Sequence, residues 1–129
     1  MARTANISLS ELQIALMRVL WDRGETSTAE VASVLADERG LAHTTIATLL
    51  TRLEKRGVVV QRRDGRQLFY RAAVEEADVR RSMVADLIGS LFAGDANELL
   101  AHLVEEAEIG PGDLARIRQR LQAGVENEK

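Results

Sequence analysis

The chain has 129 residues, 46% hydrophobic and 29% charged, which fits one folded domain or two small ones. It contains no cysteine, which excludes a disulfide framework, a thiolate metal site and a cysteine nucleophile, and with 3% aromatic residues the core must be aliphatic. The net charge of -3 conceals a division: residues 1–71 carry 11 Lys and Arg against 8 Asp and Glu, residues 72–129 carry 6 against 12, and within 43–71 the balance is 7 to 2.

In chain order, Ser8 and Glu11 stand at capping-box spacing and open a helix that runs to Arg23. Leu12, Leu16, Val19 and Leu20 form its apolar stripe, Gly24 ends it, and Trp21 is expected to anchor a core or a domain contact. Ser27 and Glu30 repeat the capping pattern for a second helix, with Val31, Val34 and Leu35 inward and Gly40 as terminator.

A short link, 41–43, leads into the segment that organises the chain, AHTTIATLLTRLEKRG at 42–57. Ile46, Leu49, Leu50 and Leu53 recur at helical spacing and must face a core. The other side carries Thr44, Thr48, Thr51 and Lys55, flanked by Ala47 and Arg52. Threonine is a poor helix former, and a merely solvated face would more usually carry Glu, Lys or Gln. Short hydroxyls and methyls suit base edges in a major groove, and the cations further along suit phosphates. The competing interpretation is a half-buried helix with an incidental threonine face. Two helices joined by a short turn, the second unusually polar, make a helix-turn-helix, with His43 at the start of the second helix and able to approach DNA.

After Gly57 the pattern becomes β-favouring: Val58 to Val60, then Gln61 to Arg63, a turn at Asp64-Gly65, and a return through Phe69 and Tyr70. Three helices and a hairpin predict a winged helix-turn-helix, mainly α with a small β wing. Arg62, Arg63 and Arg66 gather at the wing tip, where phosphate contact is expected. From Val74 the chain is helical and acidic, with the stripe Val79, Met83, Leu87, Ile88, Leu91 and Phe92. Asp95 and Glu98 cap a helix bearing Leu99, Leu100, Leu103 and Val104. A last helix begins at Asp113 and bears Leu114, Ile117 and Leu121. Three helices cannot cover one another's apolar faces, so a partner is required, and an identical chain is the economical one. The expected division is a DNA-binding domain over 7–72 and a helical dimerisation domain over 73–124.

The chain resembles the penicillinase-repressor family, the BlaI/MecI type, along nearly its whole length. The likeness rests on LSELQIALMRVLW, on LAHTTIATLLTRLEKRGVV, on the wing RRDGRQLFYRA and on NELLAHLVEEAEI. It implies a homodimeric repressor that binds double-stranded DNA at dyad operators with a TACA/TGTA-like core. By position, Thr44, Thr45, Ala47 and Thr48 would read the groove, with Thr51, Arg52 and Lys55 toward the backbone. Some members carry basic residues where this chain has Thr44 and Ala47, which alters the expected operator. Members partnered by a membrane sensor metalloprotease are cut in the dimerisation domain at an Asn-Phe pair; His102-Leu103 matches that position with neither residue type kept. Copper-responsive relatives carry a C-terminal cysteine motif, which a chain without cysteine cannot.

An enzyme is the least favoured class, because His43 and His102 lie in unrelated segments, Glu75-Glu76 and Glu105-Glu106 point to different helix faces, and no phosphate-cradling glycine loop occurs. No cofactor is expected. The alternative function is a winged-helix regulator governed by a small ligand bound between its domains; a third is a winged helix used for protein contacts alone. No run approaches the roughly 18 apolar residues of a membrane span, and MARTANISLS lacks a signal peptide's apolar region, so a cytoplasmic protein is expected.

Overall fold

The computed structural model describes residues 7–106 and 109–127, with side chains as far as Gly124. In chain order the elements are α1 (Glu11–Arg23), β1 (Thr26–Ser27), α2 (Thr28–Arg39), α3 (His43–Lys55), β2 (Val59–Asp64), β3 (Gln67–Ala72), α4 (Glu76–Leu91), α5 (Ala96–Glu105) and α6 (Pro111–Asn127). The first three helices and the three strands form a winged helix-turn-helix, as the alternation of patterns predicts.

The start of α1 differs from the expectation. Ser10, not Ser8, is the N-cap: its Oγ accepts from Gln13 N, and Gln13 Oε1 accepts from Ser10 N. The reason is Leu9, the residue before the cap, which enters the core while Ile14 packs against the same cluster. Ser8 instead offers its carbonyl to Arg56 Nη2 at 2.8 Å. Ser27 caps α2 as expected, accepting from Glu30 N. Gly40 closes α2 at φ 68° and ψ 24°, a left-handed conformation that a side chain would strain.

The four apolar residues of α3 are all buried, with Ile46, Leu50 and Leu53 wholly so. They meet Leu16, Met17 and Leu20 of α1 and Val31 and Leu35 of α2 in one cluster, closed by Val58, Val59 and Tyr70. Each such side chain stabilises the fold by about 1.5–3 kcal/mol through removal from water, far more than the few tenths that each helical threonine costs.

The sheet is antiparallel in the order β1-β3-β2. Sequence reading missed β1, whose two residues are too few for periodicity to register. It fixes the base of the wing: Thr26 pairs with Tyr70, Ser27 pairs with Phe69, and Thr28 Oγ1 donates to Leu68 O.

The chain separates into two compact units at Val84–Ala85, inside α4 and later than the change of charge and pattern suggested. The apolar residues after the wing explain why. Val79 is 3% exposed and belongs to the first unit's core, with Val74 and Met83 packed against it. Trp21 Nε1 donates to Val74 O at 3.0 Å, and Ile7 N donates to Ser82 Oγ at 2.9 Å. Val79 and Met83, expected on a dimerisation stripe, are therefore used within the protomer; further along it Ile88 and Phe92 are half-buried, while Leu87 and Leu91 are exposed.

In the second unit Asp95 caps α5, accepting from Asn97 N and Glu98 N. Asp113 accepts from Gly110 N ahead of α6 and pairs with Arg116. The Phe92 and His102 rings meet at 6.3 Å. No described side chain of this unit is buried: Leu87, Leu91, Leu100, Val104, Leu114, Ile117 and Leu121 are exposed, while Leu99 and Leu103 are half-buried. No described helix is long and apolar enough to cross a membrane.

Candidate nucleic-acid interface

With one face of α3 sealed into the core, the other is free. His43, Thr44, Thr45, Thr48, Thr51, Arg52 and Lys55 are all exposed, and Ala47 is half-exposed among them. Ala47, Thr48, Thr51, Arg52 and Lys55 line one shallow groove of about 320 Å³, so the expected base-reading and phosphate-facing residues share a surface. Thr48 Oγ1 donates to Thr44 O at 3.0 Å and Thr51 Oγ1 donates to Ala47 O at 2.9 Å. The hydroxyls thus turn their protons inward and leave methyls and lone pairs facing out.

The start of α3 is open in a way that α1, α2 and α5 are not. Its N-cap is Ala42, which supplies no side-chain hydrogen bond, and its first turn contains no acid. The first N–H groups and the positive end of the helix dipole remain available to an anion. Around this end, Ser27, Thr28, His43, Arg66, Gln67 and Leu68 line a second cleft of about 280 Å³, which brings the wing apex beside the start of the recognition helix.

The register of the wing corrects the expected turn. Asp64 pairs with Gln67, so the two-residue loop is Gly65-Arg66 rather than Asp64-Gly65. Gly65 has φ 64° and Arg66 does not share the positive sign. A glycine is needed at the first loop position, and Arg66 becomes the apex.

Strand parity separates the three wing arginines. Arg63 pairs with Leu68 on the side of Val59 and Tyr70, both buried; Arg62 pairs with Phe69 on the opposite side. Arg62 Nε and Nη2 donate to the two Glu25 carboxylate oxygens at 2.9 and 2.8 Å, and these hydrogen bonds hold Glu25 below the usual carboxylate range. Among the described residues, Arg52, Lys55, Arg63 and Arg66 form no ion pair with the protein. Glu25 is the residue of this region that sequence reading passed over. Its only signal was an acid flanked by Gly24 and a β-branched Thr26.

Residues 9–123 match the model of the penicillinase repressor family. The chain is 37% identical to the transcriptional regulator BlaI of Mycobacterium tuberculosis, over 92% of this chain and 88% of that one. It is 26% identical to the methicillin resistance regulatory protein MecI of Mammaliicoccus sciuri, over 92% and 95%. The DNA-binding domain of the repressor BlaI superposes on 59% of this chain and 93% of its own, with TM-score 0.54 and 28% identity. Bacillus licheniformis BlaI, in monomeric form with the blaP half-operator, superposes on 57% and 90%, with TM-score 0.51 and 28% identity. The family match spans both the winged helix and the helical segment that follows it, and the chain therefore belongs to the penicillinase-repressor family, as a DNA-binding transcriptional repressor of the BlaI/MecI type.

Proposed function

We propose that this chain acts as a homodimer on a dyad operator, reading each half-site with α3 and gripping the flanking backbone with the wing. The observation that carries this reading is the two-sidedness of α3: Ile46, Leu49, Leu50 and Leu53 buried, and an exposed threonine face ending in two cations that form no ion pair among the described residues. In this reading Thr44, Thr45, Ala47 and Thr48 meet base edges, Thr51, Arg52 and Lys55 lie toward the backbone, and His43 and the uncapped start of α3 meet a phosphate. Arg63 and Arg66 supply the wing's phosphate contacts. Bacillus licheniformis BlaI, solved with a half-operator, supports one winged helix per half-site.

Dimerisation belongs to the second unit, whose described apolar residues are exposed or at most half-buried within the chain. Family resemblance makes a TACA/TGTA-like core the first sequence to try. It also suggests release through a cut at His102-Leu103 by a sensor metalloprotease. That bond lies inside α5, so the helix must open before a protease can take it as an extended strand. The test is selection of operators from random duplex DNA by the full chain. The expected product is a dyad with half-sites about 34–36 Å apart or a multiple of it; selection of isolated half-sites would refute the dimeric reading.

A further inference from the structure

The sequence groups Arg62 with Arg63 and Arg66 as phosphate contacts, but the fold gives it other partners. Its guanidinium carbon lies 4.8 Å from the centroid of Phe69, the residue opposite it on β3. Its fork closes on Glu25, in the loop before β1. Phe69 pairs with Ser27 on one side and Arg62 on the other, and this is the last rung where all three strands lie abreast. Beyond it Arg63 to Leu68 continue as a two-stranded ribbon, tied to the domain at Leu68 by Thr28 and the core but by itself marginally stable toward the tip. The carboxylate and guanidinium thus span the sheet from edge to edge at the point where the ribbon leaves the body of the domain. A planar fork stacked on a ring fixes orientation as well as distance, which a lysine ammonium does not. Asp64 Oδ2, 3.9 Å from Arg62 Nη1, adds a second acid on the same face.

We infer that Arg62 is a positioning residue: the Glu25–Arg62–Phe69 clamp sets the angle of the wing so that Arg63 and Arg66 reach the DNA backbone, and Arg62 itself neutralises no phosphate. The inference rests on DNA as the ligand of the winged helix. Exposed ion pairs contribute little to stability, so the expected consequence is a change in binding, with little change in melting.

The test uses the full chain and a mixed-sequence duplex of about three helical turns, titrated with salt and followed by fluorescence anisotropy. Glu25→Ala, Arg62→Lys and Arg62→Gln should each weaken binding by about three- to ten-fold. The double variant Glu25→Ala/Arg62→Gln should be no weaker than Arg62→Gln, and the slope of log K against log salt should match the unaltered chain throughout. In the free protein, amide exchange should quicken across 63–68 in Glu25→Ala and remain unchanged in α3. Tighter or equal binding by Glu25→Ala, a slope about one unit shallower per protomer in Arg62→Gln, or unaltered exchange in the wing would each overturn the clamp. An unaltered chain that ignores duplex DNA would instead overturn the nucleic-acid reading on which the clamp depends.

Discussion

The Thr48 hydroxyl donates to the Thr44 carbonyl one turn back along α3, at 3.0 Å. A threonine bonded this way has committed its proton, so in the proposed complex it shows DNA a methyl group and an oxygen that can only accept. In the major groove this complements the amino groups of adenine and cytosine and the methyl of thymine, whereas guanine presents acceptors alone. Thr48→Ala should relax discrimination at one operator base pair by about 1–3 kcal/mol. Thr48→Val should keep preference for a thymine methyl and lose preference for an amino group. Alanine is the better helix former, so Thr48→Ala should melt no lower than the parent, which separates recognition from folding. Competition binding against singly substituted operators provides the measurement; unchanged discrimination at every position would remove Thr48 from the contact face.

The second prediction concerns salt. Arg52, Lys55, Arg63 and Arg66 are exposed and form no ion pair among the described residues, so meeting a phosphate breaks no existing one. If each protomer places about three cations on phosphates, the dimer neutralises about six and log K falls against log salt with a slope near -5. A slope shallower than about -2 would mean that wing and helix do not engage together. Arg63→Ala should weaken all duplexes alike, in contrast to the base-selective loss at Thr48.

Much of this interface was legible because its causes are local. The 3.6-residue recurrence of Ile46, Leu49, Leu50 and Leu53 can only be one buried stripe, and the threonines opposite it are anomalous without any tertiary information. The wing was legible as β-favouring residues around a glycine turn. Its sidedness was readable in principle, since adjacent strand residues must point to opposite faces, yet Arg62 and Arg63 read more easily as one basic cluster. Glu25 could not be found this way, because its partner is 37 residues away and the short strand that brings them together has no period to detect. The apolar residues after the wing show the same limit. Periodicity places Val79 and Leu87 on one stripe, but only the packing shows that the first is spent inside the protomer and the second is not.

Acid should weaken the first unit in a predictable direction. Glu11 lies below the ordinary value of 4.5 because Arg39 hydrogen-bonds its carboxylate, the two atoms 2.6 Å apart, and Glu25 is lowered in the same way by Arg62. A carboxylate whose pKa is lower folded than unfolded contributes stability above the unfolded value, and the contribution is lost as pH falls through the folded one. Glu11→Gln should therefore melt slightly below the parent at neutral pH, with the gap narrowing on acidification from about 4.5 downward. High salt should narrow it too, since both side chains are solvated. A gap that persists in strong acid would trace to packing of the glutamine instead of the lost ion pair.

Dimerisation should be separable from folding, because the residues assigned to it lie outside the buried core. In the first unit Leu16, Ile46, Leu50 and Leu53 are wholly buried, whereas in the second no described side chain is, and Leu91 and Leu121 are 68% and 66% exposed. In the proposed homodimer, a helical segment with no buried interior gains its apolar burial from the second chain. Leu100 and Val104, one turn apart on α5 and both 41% exposed, can be changed without opening a cavity in the protomer. Replacing both with Asp would place two carboxylates where a partner must pack, and an unpaired buried carboxylate costs several kcal/mol. The expected product sediments as a monomer and keeps a cooperative melt for the winged helix. It should bind a full operator scarcely better than an isolated half-site, since one winged helix reads only a few base pairs and two must be held at fixed spacing to add their contributions. A double variant that remains dimeric would place the interface on another face, and a monomer with full operator affinity would show that recognition requires one chain alone.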